Sequence, residues 1–193
     1  QSLSKEQVIN GLVEAIKIFL TFDANYVEKC VEQIDEIIEL DSSVVLDIIY
    51  RAVSLKAHVV EVDEKEHHLR MSLNFGHTVG HALEKITHYQ LMHGYAVGYG
   101  ILVEAKIAQL LALIDDNQFK YIEKLLLQIG ITKEYLQQFD NLEVIKAMRG
   151  DKKNSNQQIK IVLINGIGSM KNIDNQVAFL VNEEIILQAL ESL

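Results

Sequence analysis

The sequence predicts a mainly α-helical fold, a multi-helix domain carrying one short β-hairpin near residues 159–173. Three observations predict it. The chain contains no proline, where average usage of about 5% would place roughly ten in a chain of this length. Apolar residues recur at three- and four-residue spacing along most of it, and Ser, Asp, Asn or Gly stands near the ends of those runs. Only Ile159–Ile164 breaks the pattern with a β-branched run.

Taken in order, Ser4-Lys5-Glu6-Gln7 reads as a capping box, so a first helix is expected over about 5–20. Further helices are expected at about 25–39, 43–62, 74–88, 95–114, 117–129 and 182–192, with shorter ones at about 132–138 and 141–149. Asn165-Gly166 is a strong turn signal after Ile159–Ile164, with Ser169–Ile173 as the returning strand. Asp151–Asn156 is polar and expected in a loop. The whole chain, 1–193, reads as one domain without repeat or linker, of a size that encloses a sizeable core.

Composition excludes several classes. The 193 residues are 49% hydrophobic with a formal net charge of −9, which would repel nucleic acid and anionic membranes over most of the surface. One cysteine, Cys30, permits neither a disulfide framework nor a cysteine zinc site. No run of about 18 apolar residues or signal-peptide pattern occurs. A cytoplasmic location is expected, with neither nucleic acid nor membrane as partner.

Chemistry concentrates in Arg70-Met71-Ser72-Leu73-Asn74-Phe75-Gly76-His77-Thr78-Val79-Gly80-His81. In a helix His77 and His81 point the same way and Asn74 joins that face; His93 follows at the start of the next helix. Three histidines could thus meet as metal ligands, imidazole being the commonest one. Spacing alone leaves this open, because an i, i+4 pair of histidines is common on helix surfaces. The pattern is not HExxH, since Thr78 follows His77, and no Asp follows any histidine, which argues against an HD-type phosphohydrolase. Gly76 and Gly80, each costing about 1 kcal/mol relative to Ala inside a helix, imply either tight packing or close ligand approach.

The stretch Leu73-Asn74-Phe75-Gly76-His77-Thr78-Val79-Gly80-His81-Ala82-Leu83-Glu84 strongly resembles the hallmark helix of the 3-dehydroquinate synthase family. Gly11-Leu12-Val13-Glu14-Ala15-Ile16-Lys17, Lys56-Ala57-His58-Val59-Val60 with Asp63-Glu64, His93-Gly94 with Ala96-Val97, and Asp151-Lys152-Lys153 resemble further family segments in the same order. Tyr95, Val79 and Ile18-Phe19 depart from the usual Glu, Phe and Tyr-Gly.

The resemblance implies the C-terminal, metal- and substrate-binding part of such an enzyme, with an N-terminal NAD-binding domain absent from the chain. It implies metal ligands Glu14, His77 and His93 for zinc or cobalt, in place of three histidines. Lys17 and His81 become catalytic candidates, and Lys17, Lys56, Arg70, Asn74, His81, Lys152 and Lys153 substrate contacts. The implied reaction cyclises 3-deoxy-D-arabino-heptulosonate 7-phosphate to 3-dehydroquinate in the shikimate pathway with loss of phosphate, using NAD, in a homodimer. Two anion clusters are expected: Arg70 with Asn74, aided by free amides of a helix starting near 74, and His81 with the lysines. The alternatives are a sister cyclase of the 2-deoxy-scyllo-inosose synthase type and a non-catalytic helical binding module.

Overall fold

The computed structural model describes residues 3–65, 68–150 and 158–193. Helix α1, Lys5–Phe22, opens on the expected capping box: the Ser4 hydroxyl accepts from the Gln7 amide and the Ser4 amide donates to the Gln7 side chain. It ends at Asp23, whose carboxylate caps α2 through the Tyr26 amide and pairs with Arg51. The periodic run 25–39 is not one helix. It breaks at Gln33 into α2, Ala24–Glu32, and α3, Ile34–Ile38. Val27, Cys30, Ile34 and Ile37 stay buried across the break, so the apolar spacing that predicts one helix survives while the axis is interrupted. Burial pushes the Cys30 thiol up to about 12, which makes it a small apolar filler and not a nucleophile.

Asp41 caps the long α4, Ser42–Val62, by accepting from Ser43 and Val44. A 3-10 turn, Leu69–Asn74, follows, and then α5, His77–Ile86. The expected helix over 74–88 therefore begins three residues late. Gly76 is the reason: it adopts the left-handed conformation, φ 78°, which a glycine reaches without steric penalty and which separates the 3-10 turn from the helix.

Helix α6, His93–Leu110, is buried on nearly all sides from Gly94 to Ala108. Such a helix sits at the centre of a fold. Helices α5 and α1 pack most extensively against it, with α7, Asp116–Gln128, and α10, Glu183–Glu191, on its other flanks. Two short helices, α8 (Lys133–Leu136) and α9 (Asn141–Arg149), complete the bundle, α9 covering α5. Helices α5 and α6 approach until backbone nearly meets backbone: a Cβ on Gly100 would lie 1.8 Å from the Gly76 carbonyl oxygen. Gly80 serves the same end, since its Cβ would lie 3.1 Å from the Ala96 carbonyl. The Gly76–Gly80 pair is thus explained by packing.

The β region corrects the expected hairpin. Its apolar run splits into β1, Lys160–Val162, and β2, Ile164–Gly166. β2 pairs with β3, Ser169–Met170, whereas β1 pairs antiparallel with β4, Ala178–Leu180. Asn165 lies inside β2, and the turn falls on Ile167-Gly168. Gly168 takes φ +75°, its amide donates to the Leu20 carbonyl, and a Cβ there would strike the Ala24 amide at 2.2 Å. Docking onto the α1–α2 junction selects this turn over Asn165-Gly166. A second tight turn, which no glycine announces, sits at Asp174-Asn175 with φ 50° and 67°. No helix among the described residues is long and apolar enough to cross a membrane.

Candidate metal and substrate site

Three elements meet at the site. Glu14 projects from the middle of α1, His77 opens α5 and His93 opens α6. One ligand atom from each lies within 4.8 Å of the other two. Glu14 Oε1 is 3.7 Å from His77 Nε2 and 3.6 Å from His93 Nε2. It is also buried without a hydrogen-bond partner, a costly state unless a cation meets it.

The other ends of these groups are held. The His77 Nδ1 lies 3.2 Å from the Phe75 carbonyl, an acceptor, so Nδ1 carries the proton and Nε2 offers its lone pair. Burial, reinforced by the Lys17 cation, pushes His77 down to about 3, leaving it neutral as a ligand must be. His93 Nδ1 lies 3.1 Å from Glu84 Oε1, the carboxylate–histidine arrangement that orients a metal ligand. Glu14 Oε2 accepts from Lys17 Nζ at 2.8 Å. Burial raises the Glu14 carboxyl, but Lys17 and the two imidazoles outweigh it and hold Glu14 below the usual range. One carboxylate and two imidazoles, whose ligand atoms lie within 4.8 Å of one another, fit zinc or cobalt.

Beside this point opens a cleft of about 220 Å³ lined by Glu14, Lys17, Lys56, Arg70, Asn74 and His77, with Ile18 and Leu73 as its apolar wall. Asp63, at the end of α4, positions Arg70 by accepting from the amides of His68 and Arg70, while the Arg70 guanidinium donates to the Glu64 carbonyl at 2.8 Å. Asn74 reaches the cleft from the 3-10 turn instead of from the helix face.

Lys17 and Lys56 line the same cleft as Arg70 and Asn74. The His81 ring packs edge-on against that of His77 at 5.3 Å and lies 6.2 Å from that of His93, and one ligand atom each of His81, Glu84 and His93 also lie within 4.8 Å of one another. The helix start expected near 74 lies later: α5 begins at His77, and Glu104 Oε2 accepts from the Gly76 amide at 2.6 Å. Lys17 is only 4% exposed, a buried ion-pair partner and not the solvated cation that a lone lysine suggests. Lys152 and Lys153 lie outside the described residues.

Glu84 and Glu104 escaped the sequence reading. Glu84 was within reach, because 77, 81 and 84 fall on one helical face. Glu104 gave a weaker sign, one acid amid the apolar stretch 94–108.

The 3-dehydroquinate synthase C-terminal family model matches residues 11–154. The chain is 35% identical over 191 residues to a 3-dehydroquinate synthase of a Thermoanaerobacter strain, covering 98% of this chain and 52% of that protein. It is 36% identical over 172 residues to that of Thermodesulfovibrio yellowstonii, covering 89% of this chain and 48% of that protein. It therefore spans about half the length of the curated relatives it matches. Among solved structures, 2-epi-5-epi-valiolone synthase from Streptomyces hygroscopicus, with NAD+ and Zn2+ bound, superimposes with a TM-score of 0.83 at 22% identity, over 99% of this chain and 52% of that one. A 2-deoxy-scyllo-inosose synthase complexed with carbaglucose-6-phosphate, NAD+ and Co2+ gives 0.75 at 21% identity, over 96% of this chain and 51% of that one. At those identities the two cyclases speak for the fold alone, while the family match and the curated relatives speak for descent: the chain belongs to the 3-dehydroquinate synthase family and corresponds to its C-terminal part.

Proposed function

We propose that this chain is the metal- and substrate-binding part of a 3-dehydroquinate synthase, a carbon–oxygen lyase of the shikimate pathway leading to chorismate and the aromatic amino acids. An NAD-binding domain supplied by the rest of the full-length, homodimeric enzyme completes it. The observation that carries this reading is the juxtaposition of an orphaned, buried carboxylate oxygen between two imidazole Nε2 atoms with a cationic cleft one side chain away.

Zinc or cobalt at Glu14, His77 and His93 would supply Lewis acidity toward a substrate oxygen, and NAD would accept and return a hydride. The chain's own residues do the rest. Arg70 offers a planar fork that matches a carboxylate or phosphate, while Lys56 offers a movable point charge. Lys17, fixed against Glu14, keeps that carboxylate ionised and places a cation at the inner end of the cleft. Asn74 adds a neutral donor and acceptor beside Arg70. His81, beyond the two ligand rings, together with Lys152 and Lys153, is assigned to the phosphate. A substrate carrying both a carboxylate and a phosphate uses such a set of cations more fully than a hexose phosphate, which has one anion.

Two measurements test this. Cobalt titration of the chain should show about one tight equivalent, lost in Glu14→Ala, His77→Ala and His93→Ala and kept in His81→Ala; retention in Glu14→Ala with loss in His81→Ala would restore the three-histidine site. Joined to the NAD-binding half of a dehydroquinate synthase, the chain should release phosphate from 3-deoxy-D-arabino-heptulosonate 7-phosphate and none from glucose 6-phosphate. The opposite preference assigns it to the sister cyclases.

A further inference from the structure

Glu104 sits in the fourth turn of α6 with none of its surface exposed, in a stretch whose residues Leu102, Val103, Ala105 and Ile107 are also buried. A carboxylate in such a place costs several kcal/mol unless something is gained. One oxygen is well used. Glu104 Oε2 accepts from the Gly76 amide at 2.6 Å. That amide belongs to the residue immediately before His77, the first residue of α5. The other oxygen, Oε1, is buried without a partner, so the full hydrogen-bonding capacity of the group is not what keeps it there.

An ordinary N-cap would satisfy α5 more cheaply from its own chain, with Ser, Thr, Asp or Asn at position 76. That route is closed. Gly76 must be glycine, because its φ is +78° and a Cβ there would lie 2.7 Å from the Ile101 side chain and 2.8 Å from the Val97 carbonyl. The cap has to come from another element, and it comes from the helix whose first residue is His93. The same helix therefore carries one imidazole ligand at its start and, three turns on, the carboxylate that fixes the backbone of the other. The close approach of Gly100 to the Gly76 carbonyl brings α6 near enough for a glutamate to reach.

We propose that Glu104 is a positioning residue for the metal site: by holding the Gly76 amide next to His77 it sets the direction of His77 Nε2 relative to His93 and Glu14. This rests on the metal-site reading of Glu14, His77 and His93. Glu104 touches neither metal nor substrate. Its action is geometric, and metal ligands lose affinity about ten- to a hundred-fold when the groups that orient them are removed.

The test uses the 193-residue chain without metal, titrated with cobalt(II) and followed by its visible d–d absorption. Glu104→Leu keeps a side chain of similar bulk but removes both acceptor oxygens, and with them the bond from the Gly76 amide. Ten- to hundred-fold weaker cobalt binding is expected, with a shifted band, and faster hydrogen exchange at the Gly76 amide in the metal-free chain. Leu126→Ala, a fully buried position on α7, serves as the control for general destabilisation and should leave cobalt affinity and band unchanged. Equal affinity and an equal band in Glu104→Leu and wild type overturn the inference alone. Failure of the wild-type chain to bind cobalt overturns the metal-site reading and the inference with it. Should Glu104→Leu not fold by circular dichroism, Glu104→Asp, which keeps a carboxyl group one methylene shorter, must show the shifted band, and an unchanged band there is equally fatal.

Discussion

Glu14 faces two ways, and the residue-scale behaviour of the site follows from that. Its Oε2 is bonded to Lys17 and its Oε1 waits between two imidazoles. Removing Lys17 leaves a mostly buried carboxylate without its nearest cation, so Lys17→Ala should destabilise the chain by about 1–3 kcal/mol. Arg70→Ala removes an exposed guanidinium whose bond is to the Glu64 carbonyl, and should cost less than about 1 kcal/mol. Urea denaturation of the two variants checks the order; equal losses would mean that the Lys17–Glu14 pair is no tighter than a surface contact. His77 gives the pH dependence. Folded, it stays neutral down to about 3, against an ordinary 6.5. Between those values the unfolded chain binds the extra proton, so stability is full above 6.5 and drains as pH falls towards 3, by on the order of a few kcal/mol. In His77→Leu the acid side of the stability curve should be shallower by one proton. An unchanged slope in metal-free melts would show that His77 is hydrated and protonates normally.

At the scale of elements, what the sequence made legible divides by how local the cause is. Helix α9 falls where its Asp140 cap and apolar spacing put it, and α4 and α10 lie within a residue or so of expectation. The misses have non-local causes. The late start of α5 depends on Gly76 being pressed against Val97 and Ile101; the chosen hairpin turn depends on Gly168 meeting Ala24. Neither neighbour is visible from a window of sequence. The metal ligands show the same divide: spacing alone proposed three histidines, because Glu14 lies 63 residues from His77 and only a match to a known family pattern connects them. The two kinds of glycine can be separated by experiment. A Cβ at Gly100 would lie 1.8 Å from the Gly76 oxygen, whereas at Gly11, in α1, nothing lies within 4 Å. Gly100→Ala should therefore cost about 1–3 kcal/mol or more by overpacking and weaken cobalt binding as α5 moves. Gly11→Ala should instead stabilise by up to about 1 kcal/mol through helix propensity. Thermal melts of both decide it, and similar shifts for the pair would mean that α5 and α6 have more room between them than their backbones suggest.

The whole molecule sets its charge against its site. The net charge is −9, yet the cleft carries Lys17, Lys56 and Arg70 against Glu14. Which of the two a phosphate-bearing ligand feels depends on distance and salt. At about 0.15 M ionic strength the screening length is about 8 Å, so acidic residues on far surfaces are hidden and the cleft dominates. At about 0.01 M it grows to about 30 Å, wide enough for the acidic surface to push back. At about 1 M it shrinks to about 3 Å and weakens the cleft too. Affinity for the heptulosonate phosphate, measured by calorimetry, should therefore vary little between about 0.01 and 0.15 M and fall steeply above. In Arg70→Ala the high-salt fall should be shallower, because one of the screened contacts is gone. A protein whose ligand is governed by global charge would behave oppositely, gaining affinity throughout as salt screens the repulsion. A steady rise from 0.01 to 1 M would thus remove the cationic cleft as the anion site, even with the metal ligands intact.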